Sequence, residues 1–168
     1  HVIATDMNPD RCELARKCGV PQSYRADDPE LDARMKAVTE GAGFDAIALC
    51  AHSSNPNLIE QCMEKLAFRG RFAVVGNVPV QVNRELFFQK EADLVIARAA
   101  GPGRYDARYE DECIDYPRSY VRWTEGRNMQ EYIRLIQKGA LNLRSAITHE
   151  YAIEDAPAAY EALEKNPG

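Results

Sequence analysis

Short apolar runs alternate with helical spacings along most of the chain. His1-Val2-Ile3-Ala4-Thr5 is a β-branched run closing on Asp6, and a helix signal follows at once: Asn8 as cap, Pro9 at the first helical position, Asp10 and Glu13 in the first turn. Leu14, Ala15 and Cys18 share one face of that helix, and Gly19 ends it. A short strand is expected over 21–24. A second helix then starts at Asp28-Pro29, with Leu31, Met35 and Val38 at helical spacing until Gly41 and Gly43 break it. The run Phe44-Asp45-Ala46-Ile47-Ala48-Leu49-Cys50 is too apolar for a half-exposed strand and predicts a buried parallel one.

Pro56 opens a helix that carries Leu58, Ile59, Cys62, Met63 and Leu66. Gly70 precedes a buried-type strand over 71–76, a short helix is expected over 85–90, and a further strand over 92–97. Strands and helices in strict alternation predict an α/β protein with a parallel sheet. Over 101–128 the pattern changes to GPGRYDARYEDECIDYPRSYVRWTEGRN, rich in Tyr, Arg and Asp and without a period, which reads as a long ordered loop or functional insertion. Asn128 is expected to cap a helix with Met129, Tyr132, Ile133 and Ile136 on one face, ended by Gly139, and a last helix to cover 157–163.

Composition narrows the class. A chain of 168 residues, 45% hydrophobic and 28% charged, has room for one well-buried core and reads as soluble and globular. No apolar run is long enough to cross a bilayer, and a net charge of −5 argues against a nucleic-acid surface, so neither membrane nor nucleic acid is expected as a partner. Five cysteines with no C-x-x-C pair argue against a disulfide framework and for a reducing cytoplasm. Cys12, Cys50 and Cys62 are expected to act as small core hydrophobes, and with three scattered histidines the chain alone is not expected to bind zinc.

Asp6 carries the most chemistry. An acid at the carboxyl end of the second strand of a dinucleotide-binding unit accepts hydrogen bonds from both ribose hydroxyls and repels the extra phosphate of NADP, which favours NAD; the competing reading is a helix-entry acid. Arg11 either lies along the adenine or is merely solvated. The Gly-x-Gly-x-x-Gly turn that should hold the pyrophosphate about 20 residues before such an acid does not occur in the sequence. Gly41-Ala42-Gly43 precedes its strand and reads as a helix stop. Gly76 follows a strand alone and is expected to let the cofactor approach the backbone, and Gly101-Pro102-Gly103-Arg104 lacks a following helix pattern. His52 is either a general base or a loop histidine that touches cofactor or water. Tyr105, Tyr109, Tyr116, Tyr120 and Trp123, with Arg104, Arg118 and Arg122, offer a sugar or nucleotide platform, or else form an interface or a loop packed by its own aromatics.

VIATDMNPDRCELARKCG, DAIALCA, GRFAVVG, ADLVIARA and the tail SAITHEYAIEDAPAAYEAL together resemble the coenzyme half of the medium-chain, zinc-type alcohol dehydrogenases. The tail pattern is a Thr-His before a strand and Ala-Pro-x-Ala-Tyr in a closing helix. GPGRYD and DYPRSYVRWTEGRNM look like bacterial two-domain oxidoreductases with a second, glucose-fructose oxidoreductase-like domain, often in polysaccharide biosynthesis. The resemblance implies hydride transfer between nicotinamide C4 and an alcohol or sugar carbon. It implies Asp6 at the adenosine ribose and Arg11 near the adenine. Ala51 and His52 would line the cofactor groove, and Gly76, Asn77, Ala99 and Ala100 the nicotinamide end.

The expected fold is thus an incomplete Rossmann domain, a doubly wound and mostly parallel sheet lacking its first strand and glycine-rich turn. Residues 1–145 would form the truncated NAD(P)-binding domain with an insertion at 101–128, and 146–168 would join an absent catalytic domain. No catalytic residue is expected within the chain, which would be inactive by itself; zinc, if the parent uses it, would be held elsewhere. In the strand order 3-2-1-4-5-6 the first strand is central, so its absence exposes edges and predicts a homo-oligomer, a rearranged sheet or strand exchange. The competing class is a non-catalytic Rossmann-like module that recognises a glycan or protein partner.

Overall fold

A computed structural model describes residues 1–165. β1 (Ala4–Asp6) and β2 (Ser23–Arg25) pair in parallel, Thr5 opposite Tyr24, with α1 (Pro9–Lys17) crossing between them. α1 forms as its ends predict: the Asn8 side chain accepts from the Asp10 amide at 2.8 Å, Pro9 opens the helix, and Arg16 and Lys17 sit at its negative end. Cys12 is buried, its Sγ donating to the Tyr24 carbonyl at 3.2 Å, and Arg16 donates to the Ser23 carbonyl at 2.6 Å. Polar contacts therefore hold this unit together as much as apolar burial does.

β3 (Phe44–Leu49), β4 (Leu66–Val74) and β5 (Asp93–Ile96) form a second parallel sheet in the order β3-β4-β5. α2 (Leu31–Val38) precedes it; Asp32 on α2 pairs with Lys65, the residue that ends α3 (Leu58–Glu64), at 2.8 Å. α3 and α4 (Arg84–Lys90) cover one face of the sheet. There Ile59, Met63, Leu66, Phe72 and Val74 close into the core with Leu49 and Val78. The neighbours are those of the Rossmann order with the first strand left out, as expected. Among the described residues the sheet is divided: β1 has only β2 as partner, and β3 only β4.

Four details depart from the sequence pattern. Leu66 begins β4 rather than ending α3, because the strand continues back from Gly70 through an irregular stretch: Phe44 pairs with Leu66 but Ala46 with Arg71. Only glycine fits at position 43, where a Cβ would lie 2.8 Å from the Ala67 nitrogen and the Lys65 oxygen. β3 is parallel but not covered on both faces, since the helices lie on one side and Ala46, Ala48 and Val95 are exposed on the other. Cys50 is exposed just beyond β3, so it is no core residue; Cys12 is buried and Cys62 half-buried. Residues 147–152 form no strand.

The insertion carries one short helix, α5 (Ala107–Glu110), and α6 (Glu125–Gln137) follows; 3-10 turns at Arg144–Ala146 and Ile153–Asp155 lead to α7 (Ala156–Lys165). Thr124, not Asn128, stands at the N-terminal cap position of α6, without a side-chain capping bond, and Asn128 lies inside the helix. No helix of the described residues is long and apolar enough to cross a membrane.

Phe72 is 0% exposed at the centre of the three-stranded core. Phe72→Ala is expected to cost about 3–5 kcal/mol in urea denaturation, whereas Val95→Ala on the open face should cost under about 1 kcal/mol.

Candidate functional site

Asp6 ends β1, and its carboxylate has two partners. Oδ1 accepts the Asn8 amide at 2.8 Å, and Oδ2 lies 3.6 Å from the Arg11 guanidinium. The acid thus shapes the entry to α1 and still keeps about a third of its side chain exposed. Arg11 comes to it because the two residues are joined by the first turn of α1. A cleft of about 500 Å³ opens beside this turn, lined by Cys12, Arg16, Tyr24, Arg25, Asp27 and Asp28 among others; Asp6 is not part of its wall. Arg25 there grips Asp27 through both nitrogens, which lowers the Asp27 carboxyl pKa from its ordinary value.

The ends of β3 and β4 are joined tightly. The amides of Val75 and Gly76 both donate to the Leu49 carbonyl at 2.9 Å, and the Ser53 amide donates to the Asn77 carbonyl at 3.2 Å. Ala51, His52, Gly76 and Asn77 are therefore brought together, as their place beyond parallel strands requires. Gly76 also has a structural role. A Cβ on it would lie 1.9 Å from the Ala51 carbonyl oxygen, so the glycine serves the contact between two backbones. Among the described residues no hydrogen bond holds the His52 ring, so no acid orients it as a base.

Ala99 and Ala100 follow β5 in a tight turn: the Gly101 amide donates to the Ala99 carbonyl at 2.7 Å, and Ala100 has a φ of 57°. The Asn128 side chain donates to the Ala100 carbonyl at 2.9 Å, tying this turn to α6. Asp6 ends β1 of the two-stranded sheet with Arg11 beside it on α1, and the other candidates lie beyond the strands of the second sheet.

The insertion is built around residues that periodicity could not single out. Tyr109 lies against Gly103, stacks on Tyr116 with ring centroids 5.7 Å apart, and places its hydroxyl between Thr124 Oγ1 and the Gly126 amide. The Glu125 amide donates to the Pro102 carbonyl at 2.8 Å. Gly101-Pro102-Gly103 therefore closes onto the start of α6 and is no phosphate loop. Tyr116 donates to the Asp106 carboxylate, which lowers the Asp106 pKa and raises that of Tyr116. Arg127 pins the segment from within: it pairs with Asp115 and donates to the carbonyls of Tyr116 and Val121. Tyr109 and Tyr116 follow the self-packed reading, while Tyr105, Tyr120 and Trp123 remain exposed.

The described residues contain no cluster of three or more His, Cys, Asp or Glu able to hold a metal ion.

Residues 1–110 match the model of the zinc-binding dehydrogenase family, and the chain belongs to that family. It is 25% identical over 167 residues to the sorbitol dehydrogenase of Halalkalibacterium halodurans, an alignment covering 96% of this chain and 41% of that protein. It is 28% identical to the L-threonine 3-dehydrogenase of Vibrio parahaemolyticus, covering 97% and 40%. An alcohol dehydrogenase from E. coli CFT073 solved with NADH superposes at a TM-score of 0.68 and 16% identity, over 98% of this chain and 41% of that one. The chain thus spans about 40% of the length of the curated relatives it matches.

Gly76→Ala tests the junction of the strand ends. It is expected to cost on the order of 1–3 kcal/mol by thermal denaturation, because a backbone must move to admit the methyl group.

Proposed function

We propose that this chain is the nucleotide-binding portion of an NAD-dependent oxidoreductase acting on an alcohol or sugar carbon. The observation that carries the reading is the part-exposed Asp6 carboxylate at the carboxyl end of β1, beside Arg11. Bound NAD would supply a hydride acceptor. Asp6 would take the adenosine ribose hydroxyls, and Arg11 would border the adenine. Ala51, His52, Gly76, Asn77, Ala99 and Ala100 would form the wall at the nicotinamide end. The family match over 1–110 supports this assignment. The pyrophosphate has no glycine-rich turn to receive it in this sequence. Motifs beyond residue 101 support a longer, two-domain oxidoreductase as the parent.

The second reading, a binding or scaffold module, is favoured by the exposed Tyr120 and Trp123 of the insertion. Exposed Cys18, Cys50 and Cys113, none in a disulfide, support a reducing compartment such as the cytoplasm.

Calorimetric titration of the chain with NAD is expected to show millimolar binding, and micromolar binding would contradict the account of the pyrophosphate. In the longer oxidoreductase, kcat/KM should favour NAD over NADP, and Asp6→Ala should shrink that preference about tenfold or more, as loss of hydrogen bonds to a charged group implies. Equal turnover with both cofactors before mutation refutes the role given to Asp6, and retention of redox activity separates the enzyme from the scaffold.

The free edges of β1 and β3 also support self-association of this chain. Light scattering should give a mass of twice the chain's or more; a monomer at every concentration refutes it.

A further inference from the structure

On the insertion, Arg118 and Arg122 carry charge that no acid among the described residues pairs. Where it meets α6, a cleft of about 310 Å³ opens between Arg118, Arg122, Trp123, Arg127, Gln130 and Arg134. Glu131 shares its wall and is taken by Arg134, whose Nε lies 2.7 Å from its carboxylate. Arg127 is spent on Asp115 and backbone carbonyls. Among the described residues no acid pairs with Arg118 or Arg122, and Arg122 lies over the Trp123 ring at 5.7 Å. Two positive charges therefore face the cleft uncompensated, in a chain whose net charge is −5. The first two amides of α6, those of Glu125 and Gly126, are taken by the Pro102 carbonyl and the Tyr109 hydroxyl. The attraction comes from side chains.

The geometry points to a binding site for a small organic phosphate, a phosphomonoester on a ring, in this cleft. At neutral pH such a group carries close to two negative charges, which Arg118 and Arg122 match, and guanidinium forks suit phosphate oxygens. Trp123 offers the ring an apolar wall, and the Gln130 amide can donate to or accept from hydroxyls. The volume lies at the lower end of the ~300–1,000 Å³ of ligand pockets, so it suits a monosaccharide phosphate or a nucleoside monophosphate better than a dinucleotide. The site lies apart from Asp6 in the sequence and does not depend on the dinucleotide reading.

Trp123 is the single tryptophan of the sequence, so its fluorescence reports on the cleft directly. The chain is titrated at low ionic strength with glucose 6-phosphate, AMP, inorganic phosphate and glucose, and the same titrations are repeated by calorimetry. A saturable response to glucose 6-phosphate or AMP, tighter than to inorganic phosphate and absent with glucose, is expected; the tighter of the two shows whether sugar phosphate or nucleotide is the source. Arg118→Ala and Arg122→Ala should each weaken binding about tenfold to a hundredfold, as loss of a charged hydrogen bond implies, with Arg118→Lys between. Asp6→Ala should leave the glucose 6-phosphate response unchanged, which separates this site from the dinucleotide site. The proposal is overturned by no saturable response from a chain with a folded circular dichroism spectrum. It is equally overturned by inorganic phosphate binding as tightly as both esters, or by calorimetric affinities that the arginine variants leave intact.

Discussion

Burial of Phe72 against α3 and α4 is the interaction on which the rest of this chain depends. It closes the core of the three-stranded sheet, and that sheet fixes where the loops after β3, β4 and β5 emerge. The two-stranded unit has much less of this support. There a buried Cys12 and an arginine-to-carbonyl contact take the place of a core. The two halves of the candidate site thus rest on unequal foundations, and local opening is expected first around β1 and β2.

Most elements were legible because their ends are chemically marked. Asn8-Pro9 and the glycines after α1, α2 and α6 set helix limits that the structure reproduces closely. What the pattern could not show was tertiary. Apolarity of Phe44 to Cys50 said that the strand was parallel, but the cover on its second face depends on other elements. Leu66 fits a helical face and a strand equally, and the backbone irregularity before Arg71 decided for the strand. Asn128 looks like a cap by residue type. Thr124 takes that position because Tyr109 and Pro102 already hold the start of the helix.

The site was legible in the same uneven way. That residues beyond successive parallel strands converge follows from topology, and Ala51, His52, Gly76 and Asn77 do converge. The reason for Gly76 did not follow, since a glycine kept clear for a ligand and one kept clear for another backbone look alike in a sequence. Nor did the roles of Tyr109 and Arg127, whose partners lie up to 17 residues away in an aperiodic segment. Among several arginines and tyrosines, only packing separates those that build the loop from those left open on it.

The proposed role gives Asp6 two jobs with one carboxylate. The oxygen that receives the Asn8 amide forms the turn into α1, and the same side chain would meet the ribose. That double role constrains the position. A lineage drifting toward a phosphorylated cofactor must give up the negative charge while keeping a short acceptor there, which leaves Asn, Ser and Thr as the accessible steps and closes the route through longer or apolar side chains.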